Sequence, residues 1–387
     1  MKVDLIQLIV AFLVFLSSFI SLRVGISVAI VEILFGLIAG NLGVHTEPWM
    51  YYLANIGGIV LTFLAGAEID TELMQKKFKE SFLIGFFSFL LPFVGTAVFT
   101  YNVAHWTLQA SLLAGVALST TSVAVVYSVL VETGLSKSDL GKLLMAATFI
   151  TDIGTALALS ILFIKPNPYF IVFLIISIIV IIFATKFSHW VFDNSLLKNK
   201  IVEPEIKYIF MLLFIFMYFA NLGEGHAVLP AFILGLFMSK HFNETCETKV
   251  VRNRLRTVTY AIITPVFFII GGLRVSIPLI ASALGVFIAL FFIKIIMKFI
   301  GVFFYAKLYI PQGPTYTTLL MSTGLTFGTI ASLFGLNAGI INQVQYSVLI
   351  GVVIASAIIP TFIAQKWFMP AHEEDLLNIE ESCNGSC

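Results

Sequence analysis

The sequence predicts an all-α polytopic membrane protein of about thirteen transmembrane helices, organised as inverted repeats with paired broken helices. Three observations predict this. Of 387 residues, 59% are hydrophobic and only 11% charged, and mean hydropathy is +1.02; a soluble domain carries about twice that charge. Apolar runs of about 20 residues, the length that crosses hydrocarbon as a helix, recur along the whole chain. Two of these runs, seven spans apart, are interrupted by hydroxyl residues or glycines at mid-membrane depth.

Taken in order, spans are expected at about 5–22, 26–43, 50–67, 81–103, 108–131, 141–164, 168–187, 206–222, 227–240, 258–273, 279–306, 314–336 and 343–365. The first has only Lys2 as a basic flank and no small-residue cleavage site, so it reads as a span rather than a signal peptide. The ninth is short and carries Pro230; the eleventh is long enough to tilt. With the N-terminus outside, one side holds 17 Lys and Arg and the other only Lys2, Lys165 and Arg274. Basic loops stay in the cytoplasm, which puts the C-terminus inside and the chain in the cell membrane. Cys246, Cys383 and Cys387 fall on that reducing side, so no disulfide is expected, and no Cys/His spacing points to a metal site or other cofactor. A net charge of +1 gives no basis for a nucleic-acid partner. The acidic stretch after Pro370 reads as a disordered tail.

Charges inside the spans are few: Asp152, Lys294, Lys298 and Glu32, with Glu68 and Glu132 near span ends. An ionisable residue at the bilayer centre costs roughly 2.5–3.5 kcal/mol on the mildest scale, and such residues usually face a bundle interior or a wet cavity. Between Leu143 and Ile164, Asp152 is the only charge. Its plainest reading is an ion pair with a lysine, and that is compatible with a transport site. A carboxylate there can hold a proton or a bare cation, but hardly both. Lys294 and Lys298 lie one turn apart on one helix face; for Lys294 the plain alternative is snorkelling to a membrane edge.

In "ALSTTSVAVV" (117–126), Ser119, Thr120, Thr121 and Ser122 stand consecutively in a membrane span. Single hydroxyls there usually bond back to a carbonyl. Four in a row point to local unwinding, which exposes hard oxygen ligands for an alkali cation and survives only where it lines protein or a water-filled cavity. In "MSTGLTFGTIAS" (321–332), Gly324 and Gly328 loosen the helix while Ser322, Thr323, Thr326 and Thr329 supply oxygens. Seven spans separate the two breaks, so the equivalent helices run in opposite directions. Spans four to six then match spans eleven to thirteen, the repeat pattern that marks a transporter's binding site.

At these residues the chain resembles the cation:proton antiporter-2 family, which contains the Kef, NapA and GerN groups, and most of all its GerN spore-germination type. The resemblance is carried by "VEILFGLIAGNLG" (31–43), "LTFLAGAEIDTELM" (61–74), the stretch from "ALSTTSVAVV" to "TFITD" (117–152), "PAFILGLFMS" (230–239), "TPVFFIIGGLRVS" (264–276) and "MKFIGVFFYAKL" (297–308). It implies a NhaA/NapA-like fold with two crossed broken helices, and a homodimer that exchanges Na+ or K+, with Li+ a further candidate, for H+. Asp152 would be the transport carboxylate, Lys298 the core lysine, and Thr120 and Thr121 part of the unwound helix. Dimer or scaffold segments are expected at 1–80 and 206–276, core segments at 81–164 and 277–369, a linker helix at 165–205 and a cytoplasmic tail at 370–387. Two departures stand out: Thr151 precedes the carboxylate where relatives carry Asp, Asn or Gln, and "TGLTFG" replaces the "RGE" of many relatives.

The expected mechanism is an elevator in which H+ and a cation compete for Asp152, assisted by hydroxyls of Thr120, Thr121 and Thr151. The rival readings are a potassium channel, an organic-anion symporter of similar architecture, and an intramembrane protease. An aspartyl protease needs two intramembrane aspartates, and only Asp152 qualifies, so no enzyme is expected.

Overall fold

The computed structural model describes residues 3–24, 27–67, 77–135, 138–163, 168–193, 203–222, 227–244 and 246–370. Glu68, part of the 61–74 motif, the side chain of Glu132 and the stretch 371–387 lie outside the described residues.

The described chain is almost wholly helical: α1 Val3–Val24, α2 Val28–Asn41, α3 Pro48–Ala67, α4 Phe78–Asn102, α5a Leu108–Ser119, α5b Val123–Glu132, α6 Asp139–Leu162, α7 Pro168–Asp193, α8 Pro204–Leu222 and α9 Val228–Glu244. Next, α10 is built from Cys246–Val258, a π-turn at Thr259–Ile263 and Thr264–Leu273. A short helix, Ile277–Ser282, leads into α11, Leu284–Tyr309, which has its own π-turn at Phe299–Phe303. The chain continues through α12a Pro314–Met321, α12b Leu325–Asn337 and α13 Gln343–Trp367. Ten of these helical stretches are long and apolar enough to cross a membrane, and three shorter apolar ones, Val28–Asn41, Leu108–Ser119 and Val228–Ser239, accompany them. Every expected span has its helix. Pro230 falls in the first turn of α9, where its missing N–H removes no intrahelical bond.

Helix ends follow local chemistry. Ser138 caps α6 by accepting from the Gly141 N–H at 3.1 Å, and Asn342 with Gln345 forms a capping box at the start of α13. Exposed apolar stripes face outward. On α11, Phe292, Ile296, Ile300 and Phe304 are exposed, while Leu290, Lys294, Lys298 and Val302 are buried on the opposite face. With a hydrocarbon surroundings such stripes are the expected exterior.

The inverted repeat is visible in how the helices meet. α2 packs on α10 where Gly36 faces the Ile269 carbonyl and Gly272 faces the Ile33 carbonyl; a methyl group on either glycine would overlap the opposing backbone. α3 packs on α9 in the same way through Gly66 and Gly235. Shifting by seven spans turns the first pair into the second, as an inverted repeat requires. The repeat extends to α4–α6 and α11–α13, with the two broken spans at its centre.

Candidate functional site

The two breaks lie against each other. α5a ends at Ser119 and Thr120 turns extended, with φ −66° and ψ 160°; α12a ends at Met321 and α12b resumes at Leu325. Breaking a helix strands backbone groups, and each break supplies partners for the other. The Ser122 N–H donates to the Thr323 carbonyl at 3.0 Å, and Thr121 Oγ1 donates to the Met321 carbonyl at 2.8 Å. Ser122 Oγ and Thr326 Oγ1 lie 3.2 Å apart. Glycine permits the close crossing: a Cβ on Gly324 would sit 2.8 Å from the Thr120 carbonyl oxygen, and one on Gly328 would sit 2.8 Å from that of Ala117.

Asp152 projects from the middle of α6 and is 2% exposed. Thr120 Oγ1 donates to its Oδ1 over 3.4 Å. The second carboxylate oxygen accepts no hydrogen bond among the described residues. Lys298 is fully buried and its ammonium is saturated, donating to Ser88 Oγ at 2.8 Å, the Ser119 carbonyl at 2.8 Å and Thr121 Oγ1 at 3.0 Å. A positive charge thus sits on the carbonyl end of α5a, where the helix dipole favours it. Lys294, equally buried, donates to Ser356 Oγ at 2.8 Å.

These positions decide between the plain readings. Asp152 makes no direct ion pair with either lysine, since no such contact falls within 4.0 Å among the described residues. The two consecutive threonines of the break stand between them instead, Thr120 on the carboxylate and Thr121 on the Lys298 ammonium. Lys294 does not snorkel, because its whole side chain is buried. Thr151 neighbours Asp152 in sequence but donates its hydroxyl to the Thr148 carbonyl at 2.7 Å, and Thr323 Oγ1 donates likewise to Leu320. Glu32 lies on α2, buried, with Oε2 unpaired. Sequence reasoning missed Ser88 and Ser356, the hydroxyls that receive the two lysines. A cavity of about 260 Å³ opens among α3, α8, α9, α10 and α12b, with Asn55, Asn221 and Asn337 as its polar lining. Ile330 of α12b lines it too, two turns beyond the second break.

A carboxylate buried where two interrupted helices cross, inside an inverted repeat, has the architecture of a multi-pass secondary transporter. The family model described as sodium/hydrogen exchanger, transmembrane, matches residues 8–369, and the chain belongs to that family. It is 26% identical to the probable Na(+)/H(+) antiporter 3 of Methanocaldococcus jannaschii over 86% of this chain and 88% of that one. It is 28% identical to the Na(+)/H(+) antiporter of Enterococcus hirae, over 91% and 94%. It is 24% identical to the Na(+)/H(+)-K(+) antiporter GerN of Bacillus cereus, over 89% and 90%. Among solved structures, the sodium proton antiporter MjNhaP1 from M. jannaschii at pH 8 superposes with a TM-score of 0.66 at 15% identity, over 95% of this chain and 99% of that one. That likeness is one of fold.

Proposed function

We propose that this protein is a monovalent cation/proton antiporter, exchanging Na+ or K+ for H+ through competition at Asp152, and not an enzyme. The observation that carries the reading is the placement of one carboxylate, with a free oxygen, against the unwound backbone of Thr120. The names of the relatives support the substrate class.

A protonated Asp152 is neutral and its core can cross the barrier. An ionised Asp152 takes a dehydrated cation, with the Thr120 hydroxyl and exposed backbone oxygens completing the ligand shell, and the neutralised core crosses again. The empty, charged core stays put, because an uncompensated charge in hydrocarbon is costly. That asymmetry couples the two ions without ATP. The moving core comprises α4–α6 and α11–α13, sliding against a scaffold of α1–α3 and α8–α10 in a homodimer, with the N-terminus outside. Two smaller buried clusters lie within these bodies, one in α4, α5b, α6, α11, α12a and α13 and one in α3 and α7–α10, while the largest joins α2, α3, α9 and α10 to α5a, α6, α12b and α13 and is the contact that has to slide. The asparagine-lined cavity lies between α12b of the core and α3 and α8–α10 of the scaffold, and in this reading it is the side from which water and ions approach the crossing.

The test is reconstitution. Proteoliposomes with a proton-sensitive dye should show dequenching on addition of Na+ or K+, and uphill cation movement driven by a pH gradient, which a channel cannot perform. Asp152→Asn should abolish the signal while the protein still purifies as a folded species. Full exchange in that variant would remove the assignment.

A further inference from the structure

The two breaks are related by the repeat, and so are the residues that face them. Asp152 is the fourteenth residue of α6 counted from Asp139, and Ser356 is the fourteenth of α13 counted from Gln343. Each of these helices follows a broken span and begins at a side-chain cap, Ser138 or Asn342. Ser356 is therefore the second-repeat counterpart of the carboxylate. Where the first break meets Asp152, the second meets a neutral hydroxyl with the Lys294 ammonium upon it, at 2.8 Å. That ammonium also presses on the second break: a Cβ on Gly324 would lie 2.5 Å from Lys294 Nζ. Ser356 Oγ is its sole hydrogen-bond partner among the described residues, whereas Lys298 has three. Lys294 is held in place, but not bonded as a structural pin would be.

The geometry points to Lys294 as a tethered cation: its ammonium fills, at the second break, the position that the cargo cation takes at the first. The inference rests on the reading of Asp152 as the cation site. A core with two symmetry-related breaks is thereby limited to one mobile cation. The fixed charge also repels that cation, so Lys294 sets its affinity as well as its number. Removing the ammonium and supplying a carboxylate at Ser356 should turn the second break into a copy of the first.

The experiment counts sodium-22 bound per purified full-length protomer at saturating Na+ and neutral pH. Wild type should bind one ion, Asp152→Asn none, and the double variant Lys294→Met with Ser356→Asp two. Should the double variant fail to fold, Lys294→Met alone remains decisive. Its sodium Kd should tighten, because a like charge is removed from the neighbourhood of the bound cation. A folded double variant that still binds one ion overturns the inference, as does a Kd in Lys294→Met that is unchanged or weaker. If wild type binds one ion that Asp152→Asn loses, the parent reading stands whatever the double variant shows. If wild type binds none, both fall.

Discussion

The two breaks share a backbone plan and differ in chemistry. At the first, hydroxyls and an acid converge: Thr120 reaches Asp152, and Thr121 reaches the Lys298 ammonium. At the second, glycine leaves room and an internal ammonium occupies it. Of the two crossing points, the first has an acid against it and the second a serine hydroxyl with an ammonium upon it. On the proposed reading, exchange belongs to the first break, and the second is occupied by its own ammonium. The sharpest way to break the comparison is to make the first break resemble the second. Asp152→Ser puts at position 152 the residue found at 356, and should reduce exchange at least about 100-fold, since no group is left that can trade a proton for a metal ion. Dye dequenching in proteoliposomes measures it, and substantial residual coupling would mean the two breaks are not functionally distinct.

The lysines sharpen the contrast next. Lys298→Met strands three acceptors in a dry interior, Ser88 Oγ, the Ser119 carbonyl and Thr121 Oγ1. Each unsatisfied buried group costs about 1–3 kcal/mol, so a large drop in thermal midpoint is expected in detergent, with loss of exchange. Lys294→Met strands only one, and Ser356 already donates to the Val353 carbonyl at 2.9 Å. Its midpoint should fall far less. Equal losses would contradict the unequal hydrogen bonding of the two ammonium groups.

How much of this was legible beforehand follows from what each residue announces. The fold was, because hydrocarbon demands helices and a helix needs a long apolar run. Asp152 stood out as a candidate, because a lone acid in such a run is costly, although a structural ion pair with a lysine would equally have accounted for it. The inward face of α11 was marked by Lys294 and Lys298 alone: the exposed Phe292, Ile296, Ile300 and Phe304 and the buried Leu290 and Val302 are all apolar, and in lipid both faces look alike. Ser88 and Ser356 were not legible, since a single serine in an apolar helix most often bonds its own backbone, as Ser356 in fact also does. The register that equates Ser356 with Asp152 is hidden until the caps Ser138 and Asn342 fix where their helices begin. Thr151 was expected among the hydroxyls assisting the cation; one residue along a helix turns the side chain by about 100°, and its hydroxyl points back to donate to the Thr148 carbonyl at 2.7 Å.

Gly324→Ala tests the crossing itself. The added methyl would lie 2.5 Å from Lys294 Nζ and 2.8 Å from the Thr120 carbonyl oxygen, so the second break must shift away from the first. Overpacking of this kind costs about 1–3 kcal/mol. The strain falls on the backbone that carries Thr120, so a rise of about tenfold in the cation KM is expected alongside it. A variant that loses stability but keeps its KM would show that the second break merely packs against the first.

The finest comparison lies within the first break's own surroundings, between two threonines near the same acid. Thr120 Oγ1 lies 3.4 Å from Asp152 Oδ1 and 3.3 Å from the Thr121 carbonyl; its one proton serves one of these long bonds at a time, and its oxygen faces the acid. Thr151 sits next to Asp152 in the chain, yet its hydroxyl is bonded to its own helix at 2.7 Å. Thr120→Val should raise the cation KM about tenfold or more, the loss of one hydrogen bond to a charged group being worth about 1.5 kcal/mol or more. Thr151→Val keeps the shape, removes a back-bond that helices dispense with readily, and should leave KM within about twofold. Ion-dependent dequenching at several cation concentrations separates the two. If Thr151→Val proves the more damaging, the ligand shell is built from α6 alone, and the unwound backbone of α5 is a hinge rather than a ligand.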